Sequence, residues 1–306
     1  SHFPQNNRGN LLICNTIGVR GILQYKVNTD GADIHAEEVE PIVVSSDGNF
    51  RPVDVEIGAD GALYFLDWQN VIIGHMQYNL RDPSRDHSHG RIYRVTANDR
   101  PLLKPVKLSE KPISELLLML ESKEETIRYR TRIELSGRPS HKVLVETQHW
   151  VASFRPENEK DARPLLEALW LHEQHNTINE ELLRSVLQSP NPFARAAATR
   201  TLGHWGTKVS DGIQLLNQQA ENRHPLVRAE AVVAAASFPK EEALKTLILA
   251  RQRATDAQID YNMNQTRKIL LSTKPLVTKD PSEEPSVTSN VTADIVLKTV
   301  PEMMKY

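Results

Sequence analysis

The side chains most able to do chemistry gather in one stretch of the chain, residues 67–91. Three histidines, three aspartates and three arginines lie among these twenty-five residues. Such a mixture can hold an anion or a metal ion, or it can close internal salt bridges that fix a loop in place. The sequence leaves both alternatives open. The candidate ligand-binding residues are Asp67, His75, Arg81, Asp82, Arg85, Asp86, His87, His89 and Arg91.

Two pairs of residues in this stretch have the types that bind metal or haem. His87 and His89 would lie on the same side of an extended segment, as two metal ligands require, but two histidines are too few for a closed metal site. His75 and Met76 are residue types that ligate haem iron, yet the chain has no Cys-x-x-Cys-His segment to attach a haem. We therefore predict no metal site in this chain, and no catalytic residue can be assigned.

The elements around this stretch have the pattern of β-strands. Val53, Val55 and Ile57 alternate with acidic residues, and Asp60-Gly61 follows as a turn in which glycine accepts a positive φ. Six such strands without helices between them predict about one and a half blades of a β-propeller, which needs roughly four to eight blades to close. We therefore expect the C-terminal blades of a propeller whose other blades lie upstream. The predicted strands are 10–16, 21–27, 38–44, 52–57, 62–67 and 90–96.

After residue 100 the apolar residues change to helical spacing, and the sequence begins to repeat. Segments 116–135, 183–202 and 216–235 align without gaps, and each carries an arginine at the same place. The last two of these arginines are 33 residues apart and the first two are 67 apart, so we expect one more unit, without the arginine, between them. The period predicts a HEAT-type α-solenoid of about four two-helix units. The arginines that should bond turn carbonyls or neighbouring carboxylates are Arg128, Arg195 and Arg228.

Aromatic and histidine side chains of this helical part are predicted to pack rather than to bind ligands. Trp150, Trp170 and Trp205 are large enough to fill gaps between repeats. His172 and His175 lie three residues apart on one helical face, but no third metal ligand is near them in the sequence. We expect surface or packing roles for both histidines.

Composition argues against two kinds of partner. The net charge is −2, so the chain has no strong positive field that would attract nucleic acid. No run of eighteen or more apolar residues is present, which predicts no transmembrane segment. The single cysteine, Cys14, lies in an apolar run and is predicted to be a small buried residue.

Several motifs resemble one family. The runs 49–68, 72–76 and 81–95, together with Ala-Leu-Trp-Leu-His at 168–172 and Ala-Arg-Ala-Ala-Ala-Thr-Arg at 194–200, resemble the PVC-type haem-binding proteins, a family also described as membrane-bound dehydrogenases. Members join a propeller similar to glucose and sorbosone dehydrogenases to a HEAT-repeat region, and many end in a cytochrome c module. The resemblance extends to about residue 273.

This resemblance implies a secreted or periplasmic oxidoreductase that oxidises a small sugar or polyol, with haem c and a quinone as cofactors of the full-length protein. No catalytic residue can be transferred, because this sequence lacks the haem-attachment motif and the upstream blades. We expect the chain to be an inactive fragment of such an enzyme. The alternative is a non-catalytic scaffold that binds a carbohydrate or a protein partner on its HEAT surface.

The sequence divides into three predicted regions. Residues 1–100 are assigned to the partial propeller and residues 101–273 to the helical repeats. Residues 274–306 begin with a segment rich in proline, serine and charge, which is typical of a linker, and end in a new apolar pattern. We expect this last region to be the start of a truncated segment.

Overall fold

The computed structural model describes residues 2–71 and 82–272. Strands occupy the first part of these ranges and helices the second part. Predicted region 274–306 lies outside the described residues. The strands are β1 (Leu11–Asn15), β2 (Gly21–Asp30), β3 (Asp33–Val44), β4 (Pro52–Ile57), β5 (Leu63–Asp67) and β6 (Arg91–Val95). The helices are α1 (Ile113–Met119), α2 (Glu125–Ser136), α3 (Ser140–Val151), α4 (Ala162–Gln174), α5 (Glu180–Leu187), α6 (Pro192–Trp205), α7 (Gly212–Ala220), α8 (Pro225–Ala234), α9 (Lys240–Ala250) and α10 (Ala257–Leu271).

The six predicted strands are all present, but the propeller prediction is wrong. Strands β1, β2 and β3 form one antiparallel sheet, and β4, β5 and β6 form another. Each sheet has three strands and neither is closed, whereas a propeller blade has four. The first sheet differs from a propeller blade because β2 and β3 extend to ten and twelve residues and pair as one long hairpin, which is closed by Gly31 and Ala32.

A small core joins the two sheets. Ile22, Phe50, Leu63 and Phe65 are buried, and the ring of Tyr93 stacks on Phe65 with centroids 5.0 Å apart. These side chains come from strands of both sheets and from the segment before β4, so burying them brings β1 against β4. We call the strand-containing part of the chain the head. Because few large apolar residues are buried in the head, its loops depend on polar contacts.

The helices form five consecutive pairs that stack as a HEAT-type array. The second helices of the pairs contact one another in an unbroken series, α2, α4, α6, α8 and α10. The pair α3–α4 is the unit without an arginine marker that the 67-residue spacing predicts, and Leu165 occupies the arginine position in α4. Within the described ranges, every helix is too short or too polar to span a bilayer.

The three repeated arginines bond turn carbonyls, as predicted. Each is the fourth residue of its second helix, and each donates to the carbonyl six residues before it: Arg128 to Ser122 at 2.5 Å, Arg195 to Ser189 at 2.6 Å and Arg228 to Asn222 at 2.9 Å. The turns between paired helices are therefore closed by a buried or half-buried guanidinium, because otherwise these carbonyls would have no donor.

The tip of the β2–β3 hairpin docks on the far end of the helical array. The N–H of Ala32 donates to Asp256 Oδ2 at 2.8 Å, and Asp256 Oδ1 accepts the N–H of Ile259 as the N-cap of α10. Ala32 also packs against Ala229 and Ile259. A side chain at Gly31 would meet Asp256, and its φ of +65° favours glycine as well. One carboxylate thus links two elements 224 residues apart.

Replacing Asp256 with asparagine should separate these two roles. The new side chain can still cap α10 through its oxygen, but its NH₂ group cannot accept the N–H of Ala32. We expect Asp256→Asn to lower the free energy of unfolding by about 1–2 kcal/mol and to speed amide exchange at Ala32 by at least about tenfold. Asn191→Ala is the control, because it removes the cap of α6 without touching the hairpin. Equal exchange at Ala32 in both variants would contradict the docking role.

Candidate functional site

The predicted loop begins at Asp67, whose side chain is completely buried at the end of β5. Asp67 Oδ1 accepts the backbone N–H of Arg51 at 2.7 Å and that of Gln69 at 2.8 Å. The antiparallel register places Pro52 opposite Asp67, so the carboxylate faces the chain just before β4. Two backbone N–H donors replace the water that a buried carboxylate loses. Asp67 therefore fixes the start of the loop to the neighbouring strand.

Arg51 supports the same region from the other side. Its guanidinium is buried and donates to the carbonyl oxygens of Phe50 at 3.0 Å and Val71 at 3.2 Å. Burial, and then repulsion from Arg20, lowers the pKa of Arg51. The planar guanidinium of an arginine carries several N–H donors, so Arg51 can hydrogen-bond the backbone on both sides of the point where the loop begins.

Arg91, the first residue of β6, closes the loop at its other end. Its guanidinium donates to the side-chain oxygen of Gln69 and lies 3.6 Å from Asp47 Oδ2 and 3.9 Å from Asp67 Oδ2. Backbone hydrogen bonding from Asn49 is the main cause that lowers the pKa of Asp47. The structure therefore brings Asp67 and Arg91 together, as the sequence suggested. Three further residues of this cluster were not predicted from the sequence: Asp47, Arg51 and Gln69.

The residues between these ends form two local turns. Asp82 accepts the N–H of Ser84 at 2.9 Å and its hydroxyl at 2.6 Å. Asp86 accepts the N–H of Ser88 at 2.9 Å and faces the Nδ1 atom of His89 at 2.8 Å. Such Asx turns order a loop without any ligand.

The other four predicted residues lie in different environments. Arg85 is buried, and its backbone N–H donates to the carbonyl of Asp82 at 3.0 Å. His87 is exposed to solvent. His75 and Arg81 lie outside the described residues. Within the described ranges no group of three or more histidine, cysteine, aspartate or glutamate side chains is placed to hold a metal ion.

These contacts are internal salt bridges and turns, the second of the two alternatives that the sequence leaves open. Asp67 Oδ1 and two nitrogens of the Arg51 guanidinium are used by the chain's own backbone, whereas Asp67 Oδ2 and Arg51 Nε have no hydrogen-bond partner among the described residues. Ligand binding by the loop stays a prediction.

A second concentration of charge lies between α2 and α4. Glu167 is completely buried, and Arg132 donates to both of its oxygens at 2.8 and 2.9 Å. Arg132 also lies over the ring of Trp170, 5.9 Å from its centroid. Arg128 pairs with Glu125 and lies 3.6 Å from Glu167. Burial raises the pKa of Glu167, whereas the arginines oppose this shift.

Exposed apolar side chains border these ion pairs. Tyr129 and Ile133, one turn apart on α2, are 57% and 52% exposed. They are the fifth and ninth residues of their helix, and we call the surface formed by these two positions of all five second helices the second-helix face. Its residues are Tyr129, Leu166, Ala196, Ala229 and Tyr261 at the fifth position and Ile133, Trp170, Arg200, Val233 and Gln265 at the ninth. Leu166, Ala196 and Ala229 are buried, whereas Tyr129, Tyr261 and Ile133 are more than half exposed.

Removing the carboxylate of Asp67 should loosen the loop from the head. Asp67→Ala leaves two buried N–H groups without an acceptor, so we expect the free energy of opening of β5 to fall by about 2–4 kcal/mol. Amide hydrogen exchange of β5 measures this change. Asp82→Ala is the control, because among the described residues the Asp82 side chain hydrogen-bonds only Ser84, and it should change the value by less than about 0.5 kcal/mol. Similar effects of the two variants would show that Asp67 does not fix the loop.

The turn at Asp86 should respond to acid. Hydrogen bonding, chiefly from the N–H of Ser88, lowers the pKa of Asp86 from 3.8 to about 2. Because a depressed pKa means that the folded turn favours the ionised form, the turn contacts are complete above pH 3.8 and are lost as pH falls through about 2. A carboxyl-carbon NMR titration should give a midpoint near 2. Ser88→Ala should move it upward, and a native midpoint at the ordinary value would disprove the contact in solution.

Comparisons with known proteins match two parts of the chain. Residues 1–99 match the model of a domain of unknown function (DUF7133), and residues 179–260 match the model of HEAT repeats. Searches of curated proteins and of solved structures found no match. The HEAT prediction is confirmed, whereas neither match names the haem-binding dehydrogenase family. The chain is thus similar to a domain of unknown function in its strands and to HEAT repeats in its helices.

Proposed function

We propose that this chain is a binding scaffold that holds a protein partner on its second-helix face. The observation that carries the proposal is the exposure of Tyr129 and Ile133, which lie one turn apart on α2. Single exposed apolar residues are common on proteins, but a tyrosine and an isoleucine on the helix whose Arg132 lies over the ring of Trp170 bring together residue types that are common in interface hot spots.

The ion pairs support this proposal because they restrain the side chains of this surface. Arg132 cannot leave Glu167 without breaking both of its hydrogen bonds to a buried carboxylate, so its position over the ring of Trp170 is restrained. Arg200 and Glu230 repeat the arrangement between α6 and α8, with 3.1 Å between Arg200 Nε and Glu230 Oε2. A partner that binds such a face loses little free energy to ordering the scaffold.

The chain's own hairpin supports the proposal as well. Ala229 is the fifth residue of α8, and the tip residue Ala32 packs on it. A non-helical segment therefore already occupies the second-helix face near α8 and α10. The corresponding positions on α2 carry Tyr129 and Ile133, which remain more than half exposed. HEAT arrays bind partners along an extended surface, and Tyr129 and Ile133 of the first pair form an open part of this face.

Sugar or polyol oxidation, the haem c and quinone cofactors, and a periplasmic or extracellular location stay predictions from the family resemblance. The described residues provide no contact that favours the oxidoreductase over the scaffold. A carbohydrate partner is the weaker alternative, because Tyr129 and Ile133, the large exposed apolar residues of α2, carry no carboxylate or amide of the kind that bonds sugar hydroxyls.

Peptide selection tests the scaffold function. A phage library of random peptides about twelve residues long should yield binders to the intact chain, since HEAT surfaces accept extended segments. Combining Tyr129→Ser with Ile133→Ser should weaken the selected peptides by at least about tenfold. Leu118→Ser with Val145→Ser is the matched control, because these residues are 61% and 53% exposed on first helices. Equal loss in both double variants, or no binder, would contradict the proposal.

A further inference from the structure

The long hairpin of β2 and β3 extends away from the head as an arm. Strand β1 pairs with β2 only as far as Tyr25, so beyond that residue β2 pairs with β3 alone. We call this two-stranded part, residues 26–37, the arm. All of its residues are described, and Ala32 is the only one of them that is buried. Because a two-stranded hairpin is only marginally stable by itself in water, the arm depends on the contact at its tip.

The contact at the tip is small. In the part of the chain that the structure describes, one hydrogen bond joins the arm to the helices, from the N–H of Ala32 to Asp256 Oδ2. The apolar contact consists of Ala32 against Ala229 and Ile259. One hydrogen bond and one methyl group contribute far less free energy than the apolar cores of the head and of the array. The tip can therefore leave the helices while both parts stay folded.

The tip lies on the second-helix face, which is the surface of the proposed function. Ala229 is the fifth residue of α8, and Ile259 is the third residue of α10. The exposed Tyr129 and Ile133 lie on α2, three steps earlier in the series of second helices. Packed helices are about 8–10 Å apart, so the tip lies roughly 24–30 Å along the face from these two side chains.

We propose, building on the scaffold function, that the arm tip makes an autoinhibitory contact: it covers the second-helix face at α8 and competes there with the partner segment. Because α2 carries the first of the second helices, a segment that follows the face from Tyr129 can only run towards α8. An extended segment advances about 3.3 Å per residue, so it reaches the tip after roughly eight or nine residues.

The length of the partner segment therefore decides whether the tip matters. A shorter segment binds beside the docked tip. A longer segment binds along its whole length only after the tip has left, so its apparent affinity is reduced by the fraction of molecules in which the tip is undocked.

Release of the tip tests this competition. Gly31→Val should release it, because a Cβ at this position would lie 2.6 Å from Asp256 Oδ2 and the φ of +65° disfavours valine. A twelve-residue peptide whose binding depends on Tyr129 should bind the Gly31→Val chain roughly five- to thirtyfold more tightly than the native chain. The six-residue half of the peptide that contacts Tyr129 should bind both chains equally.

Two further variants complete the experiment. Gly18→Val is the matched control, because Gly18 also has a positive φ, +82°, but a Cβ there would meet nothing within 4 Å. Asp256→Asn releases the tip without backbone strain and should strengthen the whole peptide as well. Amide exchange at Ala32 reports release of the tip, and circular dichroism checks that each variant folds.

The outcomes separate the inference from the function on which it rests. Equal affinity of the whole peptide for the native, Gly31→Val and Asp256→Asn chains would overturn the inference and leave the scaffold in place. Equal strengthening of the half and the whole peptide would overturn it too, because the effect would then not depend on reaching α8. A library that yields no binder would contradict the scaffold function, and the inference with it.

Discussion

Charge buried among the second helices is the constraint on which the helical array depends. Glu167 is completely buried, and Arg132 donates to both of its oxygens, which opposes the rise in its pKa that burial causes. Arg200 holds Glu230 in the same way between α6 and α8. Removing one member of such a pair takes hydrogen bonds away from a buried charge, so the pairs favour the register in which α2 meets α4 and α6 meets α8. The order of the array therefore follows from charge as well as from apolar packing.

Local elements of the fold could be predicted because their signals lie among neighbouring residues. Short apolar runs rich in β-branched residues and bounded by turn signals mark all six strands, the turn glycine Gly61 has the expected positive φ of 78°, and the 33-residue period finds the arginine-bearing repeats. The number of strands in a sheet is a different property, because it depends on which strands pair. Strands β2 and β3 pair over nearly their full length as one hairpin, and this pairing replaces the propeller blade that strand spacing predicts.

The candidate site could be predicted only in part, for a related reason. Asp67 and Arg91 stand out in a run of charged residues, but their partners Asp47 and Gln69 do not. The register of the β4–β5 hairpin could have found Arg51, since its neighbour pairs with Asp67. No comparable signal connects Ala32 with Asp256, because that contact joins a hairpin to a helix cap far along the chain and follows no sequence period.

Side-chain size along the fifth position explains how the second-helix face is divided. The position carries tyrosine and leucine on α2 and α4 but alanine on α6 and α8. Small residues are required where the backbone of the hairpin tip approaches α8, since Ala32 packs directly on Ala229. The fifth positions of α2 and α10 carry tyrosines, Tyr129 and Tyr261, and both are more than half exposed. The long hairpin that replaces a propeller blade thus covers the small fifth residue of α8, and the aromatic fifth residues at the two ends of the array stay open to solvent.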